Sequence, residues 1–166
     1  MPLDTTDFTQ ALARVPGPVT VVTTVSPSGQ SWGFTASSFS SLSLSPPLVL
    51  VCLDKAASTH QAFLEADRFL INVLSEEQSD VALRFAKSGT DRFAAGDMAP
   101  CELGLPGLPR ASARLACSMH DIADGGDHSI LIGRAEAAHT GGGMPLVYCD
   151  RTFARPAPAD PALAAR

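Results

Sequence analysis

Seven consecutive residues, Val19-Thr20-Val21-Val22-Thr23-Thr24-Val25, are all β-branched. Such side chains lose rotamer freedom in a helix and pack well on a pleated surface, so the run predicts a strand and commits this part of the chain to a sheet. Before it, Thr5 to Val15 reads as a short helix with Phe8, Leu12 and Val15 on one face and Asp4 or Thr5 as cap, ended by Pro16-Gly17-Pro18. After it, Ser26-Pro27-Ser28-Gly29 is a turn, and the chain returns as the second strand of a hairpin.

The returning stretch, Gly33 to Pro47, is rich in hydroxyls and low in charge. Read as one extended strand, it has an apolar face (Phe34, Ala36, Leu42, Leu44) and a hydroxyl face (Thr35, Ser37, Ser41, Ser43), interrupted by Phe39. One face can pack on a core while the other lets a ligand reach the backbone amides. A half-exposed serine-rich strand of no special role satisfies the same pattern.

Further along, Leu48 to Leu53 reads as a strand buried on both faces, and Phe69 to Leu74 as another. Ser58 with Gln61, and Ser75 with Gln78, have the spacing of helix capping boxes, the second helix running to about Ala86. Ser88 to Arg110 is a long Gly/Pro/Ala loop, and Leu115–Ala123 and Ile130–His139 are strands joined by a tight turn over Asp124-Gly125-Gly126-Asp127. Gly141 to Gly143 is a turn, and Pro145 to Phe153 a last strand-like run. Many strands, few helices and no regular β-α alternation predict a mainly β, β-rich α+β barrel with short peripheral helices. The length of 166 residues suits one domain, 1–154, and the Ala/Pro-rich 155–166 is expected to be a disordered tail.

The net charge of -5 and the lack of a Lys/Arg cluster argue against a nucleic-acid partner. No apolar run is long enough for a bilayer, and Met1 to Asp4 lacks signal-peptide character. Four scattered cysteines with no C-x-x-C read as reduced thiols in a cytoplasm. The charged fraction of 17% is low enough to suggest a surface covered by a partner subunit.

The motifs that carry chemistry are few. Gly29-Gln30-Ser31-Trp32-Gly33 matches G-x-S-x-G, but a serine-hydrolase elbow needs a helix directly after the serine, and a strand is expected here. No histidine pair has metal-ligand spacing. His128 follows the hairpin turn, and on its own it reads first as a hairpin histidine satisfied by nearby backbone. Ser58-Thr59 at a helix start suits an anion or plain capping. Arg84, Lys87 and Arg92 form a basic cluster that either faces solvent or joins Ser58 and Thr59 on one phosphate.

Four pieces in this order resemble one family. They are Gly33 to Phe39 with Pro46-Pro47; Lys55 with Ser58-Thr59; Arg84-Phe85-Ala86 with Asp91-Arg92-Phe93; and Gly126-Asp127-His128 with Tyr148 to Phe153. The set resembles the short-chain flavin reductases of two-component flavin-dependent monooxygenases, over about Thr9 to Phe153. The resemblance implies an FMN-binding split β-barrel acting as a homodimer. It implies an NAD(P)H:flavin oxidoreductase, NADH-preferring, that passes reduced FMN or FAD to a separate oxygenase. By the same resemblance Thr35, Ala36, Ser37, Ser38 and Phe39 hold the isoalloxazine ring. Lys55, Ser58, Thr59 and Arg92 meet the ribityl and phosphate end, and Cys52 and Phe85 join the cofactor set. His128 is the catalytic candidate beside the nicotinamide, and Tyr148, Arg151 and Phe153 line the same pocket. The Ala/Pro tail and Gly104 to Pro109 depart from the pattern. The residue chemistry agrees, because flavin and nicotinamide carry hydride transfer themselves and the protein needs to stack the two rings. A flavin-binding sensor or carrier without turnover uses the same residues equally well.

Overall fold

The computed structural model describes residues 1–160 and 162. In chain order the elements are α1 (Thr5–Ala13), β1 (Gly17–Pro18), β2 (Thr20–Val25), β3 (Ser31–Ala36), β4 (Ser40–Leu44), β5 (Pro47–Asp54), α2 (His60–Leu64) and β6 (Arg68–Val73). Then follow α3 (Ser79–Ala86), β7 (Ala99–Pro100), a 3-10 turn (Glu102–Gly104), β8 (Pro106–Gly107), β9 (Ala113–Gly125), β10 (His128–Thr140), β11 (Val147–Cys149) and β12 (Thr152–Ala154). The expected tail lies partly outside the described residues; within them Arg155 Nη1 stands 3.5 Å from a Glu76 carboxylate oxygen.

Seven strands form one antiparallel sheet in the order β3-β2-β6-β9-β10-β5-β4. Its two edge strands are neighbours in sequence, so the sheet curls until the three-residue link Ser37-Ser38-Phe39 spans the gap. Ser38 Oγ accepts from the Cys52 amide at 2.9 Å and donates to the Cys52 carbonyl at 3.3 Å, tying the link to β5. The result is a β-rich α+β fold with the form of a split barrel.

The β-branched run sits where both faces are covered. Val22 points into the barrel core with Phe34, Val51, Phe63, Phe69 and Leu131, while Val21 and Val19 point into a second core with Val81, Phe85 and Leu108. Its threonines are buried with satisfied hydroxyls: Thr20 donates to the Ala36 carbonyl at 2.7 Å and Thr24 to the Arg68 carbonyl at 2.6 Å. The doubly buried strand is therefore β2. The same expectation for Leu48–Leu53 is overturned: Val49, Val51 and Leu53 are buried, whereas Leu48, Leu50 and Cys52 are half-buried.

Several local expectations change for physical reasons. Gly33 to Pro47 is two strands separated by the barrel-closing link, and the C-terminal half has no buried apolar face. α1 is capped by Asp4, whose carboxylate accepts from the Thr6 amide at 2.6 Å, but Phe8 and Leu12 are exposed at 48% and 52%. At α2 no capping box forms, because Gln61 turns to the Glu65 carboxylate four residues on. At α3 half of one forms, with Gln78 Oε1 accepting from the Ser75 amide at 3.0 Å. Pro145 to Phe153 folds back on itself as β11 and β12, through Asp150 and Arg151 at φ 51° and 59°. The long loop 88–110 contains β7, β8 and the 3-10 turn, held by Arg114, whose Nε and Nη2 donate to the two Glu102 carboxylate oxygens at 2.8 and 2.9 Å.

Candidate active site

A cleft of about 840 Å³ opens beside the link between β3 and β4. Its walls bring together Thr35, Ala36, Ser37, Ser38, Cys52, Ser58, Phe85, Arg92 and His128. These come from β3 and its link, the outer face of β5, the start of α2, α3, the 88–98 loop and the β9–β10 hairpin. Thr35 directs its hydroxyl to the Ala82 carbonyl of α3 at 2.6 Å. Gly33 is required by contact: a Cβ there would lie 2.8 Å from Phe85 Cε1, and that ring stacks edge-on with Phe93 at 5.1 Å. Glycine thus lets α3 approach β3 closely enough to wall the cleft.

Other expected residues lie elsewhere. Phe39 is half-buried against the barrel core. The Lys55 ammonium pairs with Asp124 across the hairpin and is not part of the cleft wall. Thr59 lines an adjoining cavity of about 220 Å³ that shares Ser58 and Arg92 with the main cleft. Tyr148 and Phe153, stacked edge-on at 5.6 Å, line a separate apolar cavity that shares Thr35, Ala36, Ser37 and Ala86 with the cleft. Arg151 occupies an exposed turn and lines neither cavity.

The basic cluster is dismantled. Arg84 binds both Asp97 carboxylate oxygens, at 2.7 and 2.6 Å, and donates through Nε to the Arg92 carbonyl. It therefore fixes the loop and offers no cation to the cleft. Arg92 donates through Nε to the Lys87 carbonyl at 3.0 Å and through Nη1 to the Gly33 carbonyl at 2.6 Å. Partial burial lowers its pKa from the usual guanidinium value, though arginine stays a cation in proteins. His128 Nδ1 lies 2.7 Å from an Asp127 oxygen, and that hydrogen bond holds the Asp127 carboxyl below its ordinary range. Asp124 is lowered likewise by the hydrogen bond from Lys55.

Residue-by-residue reading misses Phe8 and Leu12, which the fold places on the cleft wall. Their helical spacing is the usual signal of a core face, and only the cleft shows its other use. The serine-hydrolase reading fails on local structure, because Ser31 opens β3 within a hairpin and no helix follows. His60 Nε2 is paired with Ser129 Oγ at 2.8 Å.

A flavin fits this cleft. A planar ring system needs close approach to backbone, which the small side chains of Ala36 and Ser37 allow. A phosphate needs donors, supplied by Arg92 and Ser58, and Thr59 Oγ1 is a buried side-chain oxygen left without a partner among the described residues. The split antiparallel barrel and the position of its cleft are those of the flavin reductase-like fold. The chain belongs to the flavin reductase-like family, whose domain model matches residues 12–157. Over 160 residues it is 41% identical to an NADH:riboflavin 5'-phosphate oxidoreductase of Streptomyces pristinaespiralis, covering 95% of this chain and 91% of that protein. It is 44% identical over 139 residues to a stachydrine N-demethylase reductase subunit of Rhizobium meliloti, covering 84% of this chain but 60% of that relative's length. Among solved structures, the NADH:FAD oxidoreductase of Streptomyces globisporus in complex with NAD and FAD fragments superposes with a TM-score of 0.86. The two are 37% identical, with 96% of this chain and 99% of that one covered.

Proposed function

We propose that the protein is an NAD(P)H:flavin oxidoreductase that reduces FMN or FAD and supplies the reduced flavin to a partner monooxygenase. The observation that carries this is the single cleft in which the small residues Thr35 to Ser38, the phosphate donors Ser58 and Arg92, and His128 converge. When bound, flavin and nicotinamide supply the hydride chemistry between themselves. The chain's own residues hold the rings in contact, and such positioning is worth on the order of 7–11 kcal/mol of the barrier. Ala36 and Ser37 would admit the isoalloxazine to the backbone, Ser58, Thr59 and Arg92 would hold the phosphate end, and Phe8 and Leu12 would add apolar wall. His128, hydrogen-bonded through Nδ1 to Asp127, would be the residue that meets the nicotinamide. The reductase-subunit relative supports the separate oxygenase.

A homodimer is the state this reading takes. Edge strand β4 leaves Leu42 48% and Leu44 93% exposed, apolar side chains that a second copy would cover. Four free cysteines fit a reducing cytoplasm.

NADH oxidation with added FMN or FAD tests the reading. Flavin-dependent turnover is expected, Ser37→Leu should abolish flavin binding, and His128→Ala should raise the KM for NADH more than it weakens flavin. A protein that binds flavin but oxidises neither nicotinamide would be a carrier instead.

A further inference from the structure

The 88–98 loop, which carries Arg92 to the cleft, is gripped by two residues that stay out of it. Arg84 of α3 donates through Nη2 to both Asp97 carboxylate oxygens, at 2.7 and 2.6 Å, and through Nε to the Arg92 carbonyl at 3.0 Å. Neither Arg84 nor Asp97 lines the main cleft or the adjoining cavity, whereas Arg92 lines both. One guanidinium therefore holds the far end of the loop and also the backbone of its ligand-facing residue. Resting on the function proposed above, we infer that Arg84 and Asp97 are positioning residues. Their ion pair sets where Arg92 stands, and so how strongly the protein grips a flavin phosphate, without touching the flavin or altering the hydride step.

The donor inventory of Arg92 shows why its placement matters. A guanidinium carries its N–H donors in a rigid planar fork. Arg92 uses Nε on the Lys87 carbonyl and one N–H of Nη1 on the Gly33 carbonyl. The remaining donors, on Nη1 and Nη2, have no hydrogen-bond partner among the described residues. That Nη1–Nη2 edge is the one that meets an oxyanion with two parallel bonds, and the match is lost when the fork turns. A free arginine must also be ordered when it grips an anion, whereas this one is ordered beforehand. The two carbonyls fix the side chain only if the backbone of Arg92 stays in place, and Arg84 is the side chain that holds it. Phe93, edge-on to Phe85 at 5.1 Å, is the second hold on the same loop. The Arg84 and Asp97 side chains are 23% and 34% exposed, against 79% and 65% for the Arg110–Glu77 pair, so solvent screens the loop clamp less.

Flavin-fluorescence titration of the full chain with FMN and with riboflavin, which lacks only the phosphate, tests this without turnover. The wild type is expected to bind FMN more tightly than riboflavin. Arg84→Gln and Asp97→Asn should each cut that preference about tenfold by weakening FMN, with riboflavin affinity kept within about twofold. The two substitutions change the local charge in opposite senses. If the pair acted only through its field on the phosphate, Asp97→Asn would tighten FMN binding, and that result overturns the positioning role. The double variant should lose no more than the weaker-binding single variant, as for residues that act as one unit, and fully additive losses overturn it as well. At saturating flavin, kcat for NADH oxidation should stay within about twofold while the KM for FMN rises. A lowered kcat with riboflavin as acceptor, or equal weakening of both flavins, makes the pair merely structural and overturns the inference. Should Arg84→Gln fail to melt like wild type, the nearly isosteric Asp97→Asn carries the test. Equal binding of FMN and riboflavin by the wild type overturns the inference and leaves the reductase reading intact. Binding of neither removes the reductase reading itself.

Discussion

β3 and β4 come from one continuous hydroxyl-rich stretch, yet β3 buries Gly33, Phe34 and Ala36 while β4 leaves Leu42 and Leu44 in solvent. β3 is an edge strand backed on one face by α3 and on the other by the barrel core, where Phe34 meets Phe63 edge-on at 4.9 Å. β4 is the opposite edge, paired only with β5 and shifted in register between Ser41 and Ser43. Alternation along a strand says which residues share a face. It does not say whether anything covers that face. The link between the two strands inherits both environments: Ser38 is anchored to β5, and Ser37 is exposed to the cleft.

This contrast can be broken at either end. Phe34→Ala should cost about 3–5 kcal/mol in urea denaturation, as expected for a buried aromatic that leaves a cavity. A loss below about 1 kcal/mol would mean the barrel core does not hold β3. Away from both edges, Glu102→Gln weakens the clamp on the 3-10 turn and should cost about 1.5–3 kcal/mol at neutral pH. The hydrogen bonds from Arg114 hold the Glu102 carboxyl below its ordinary value of 4.5. Its contribution is therefore complete above 4.5 and is lost as pH falls through the lower folded-state value, so the wild-type and Glu102→Gln curves should converge in acid. A gap that persists at the acid end would reject the ion pair as its source.

At the link itself, Ser38→Ala leaves the Cys52 amide without its partner and should cost about 1–2 kcal/mol, with flavin affinity reduced as the link loosens. An unchanged melt together with unchanged flavin affinity would show that β3 and β5 need no such tie. The smallest effect belongs to β4, where Leu44→Ser should alter monomer stability by less than about 0.5 kcal/mol. If a second copy covers that strand, Leu44→Asp should dissociate it in sedimentation while leaving the monomer folded.

Much of the local structure was legible in the residues. The β-branched run and the hairpin turn before β3 appear where their chemistry puts them, and the turn expected over Asp124 to Asp127 tightens to Gly126-Asp127 as β9 and β10 extend to Gly125 and His128. Ser37, Ser38, Cys52, Ser58 and His128, which the family resemblance singles out, line one cleft. What was not legible depended on partners far away in the chain. Lys55 meets Asp124 across 69 residues, a pairing the local sequence does not announce. Arg84 meets Asp97, so the basic cluster reduces to Arg92 as the cation on the cleft wall. Phe8 and Leu12 have core-like spacing but line the cleft, because no element packs over α1 to bury them.

By itself the sequence determined which segments extend, where they reverse, and which residue types are small or hydroxylated enough to admit a flat ligand. Those properties arise from rotamer restriction, turn geometry and side-chain size, all of which act within a few residues. Only the tertiary structure decided that β3 and β4 close the sheet from opposite edges, which charges neutralise one another, and where the cleft and its adjoining cavity open. Burial and ion pairing depend on distances in space between elements that the chain itself keeps far apart.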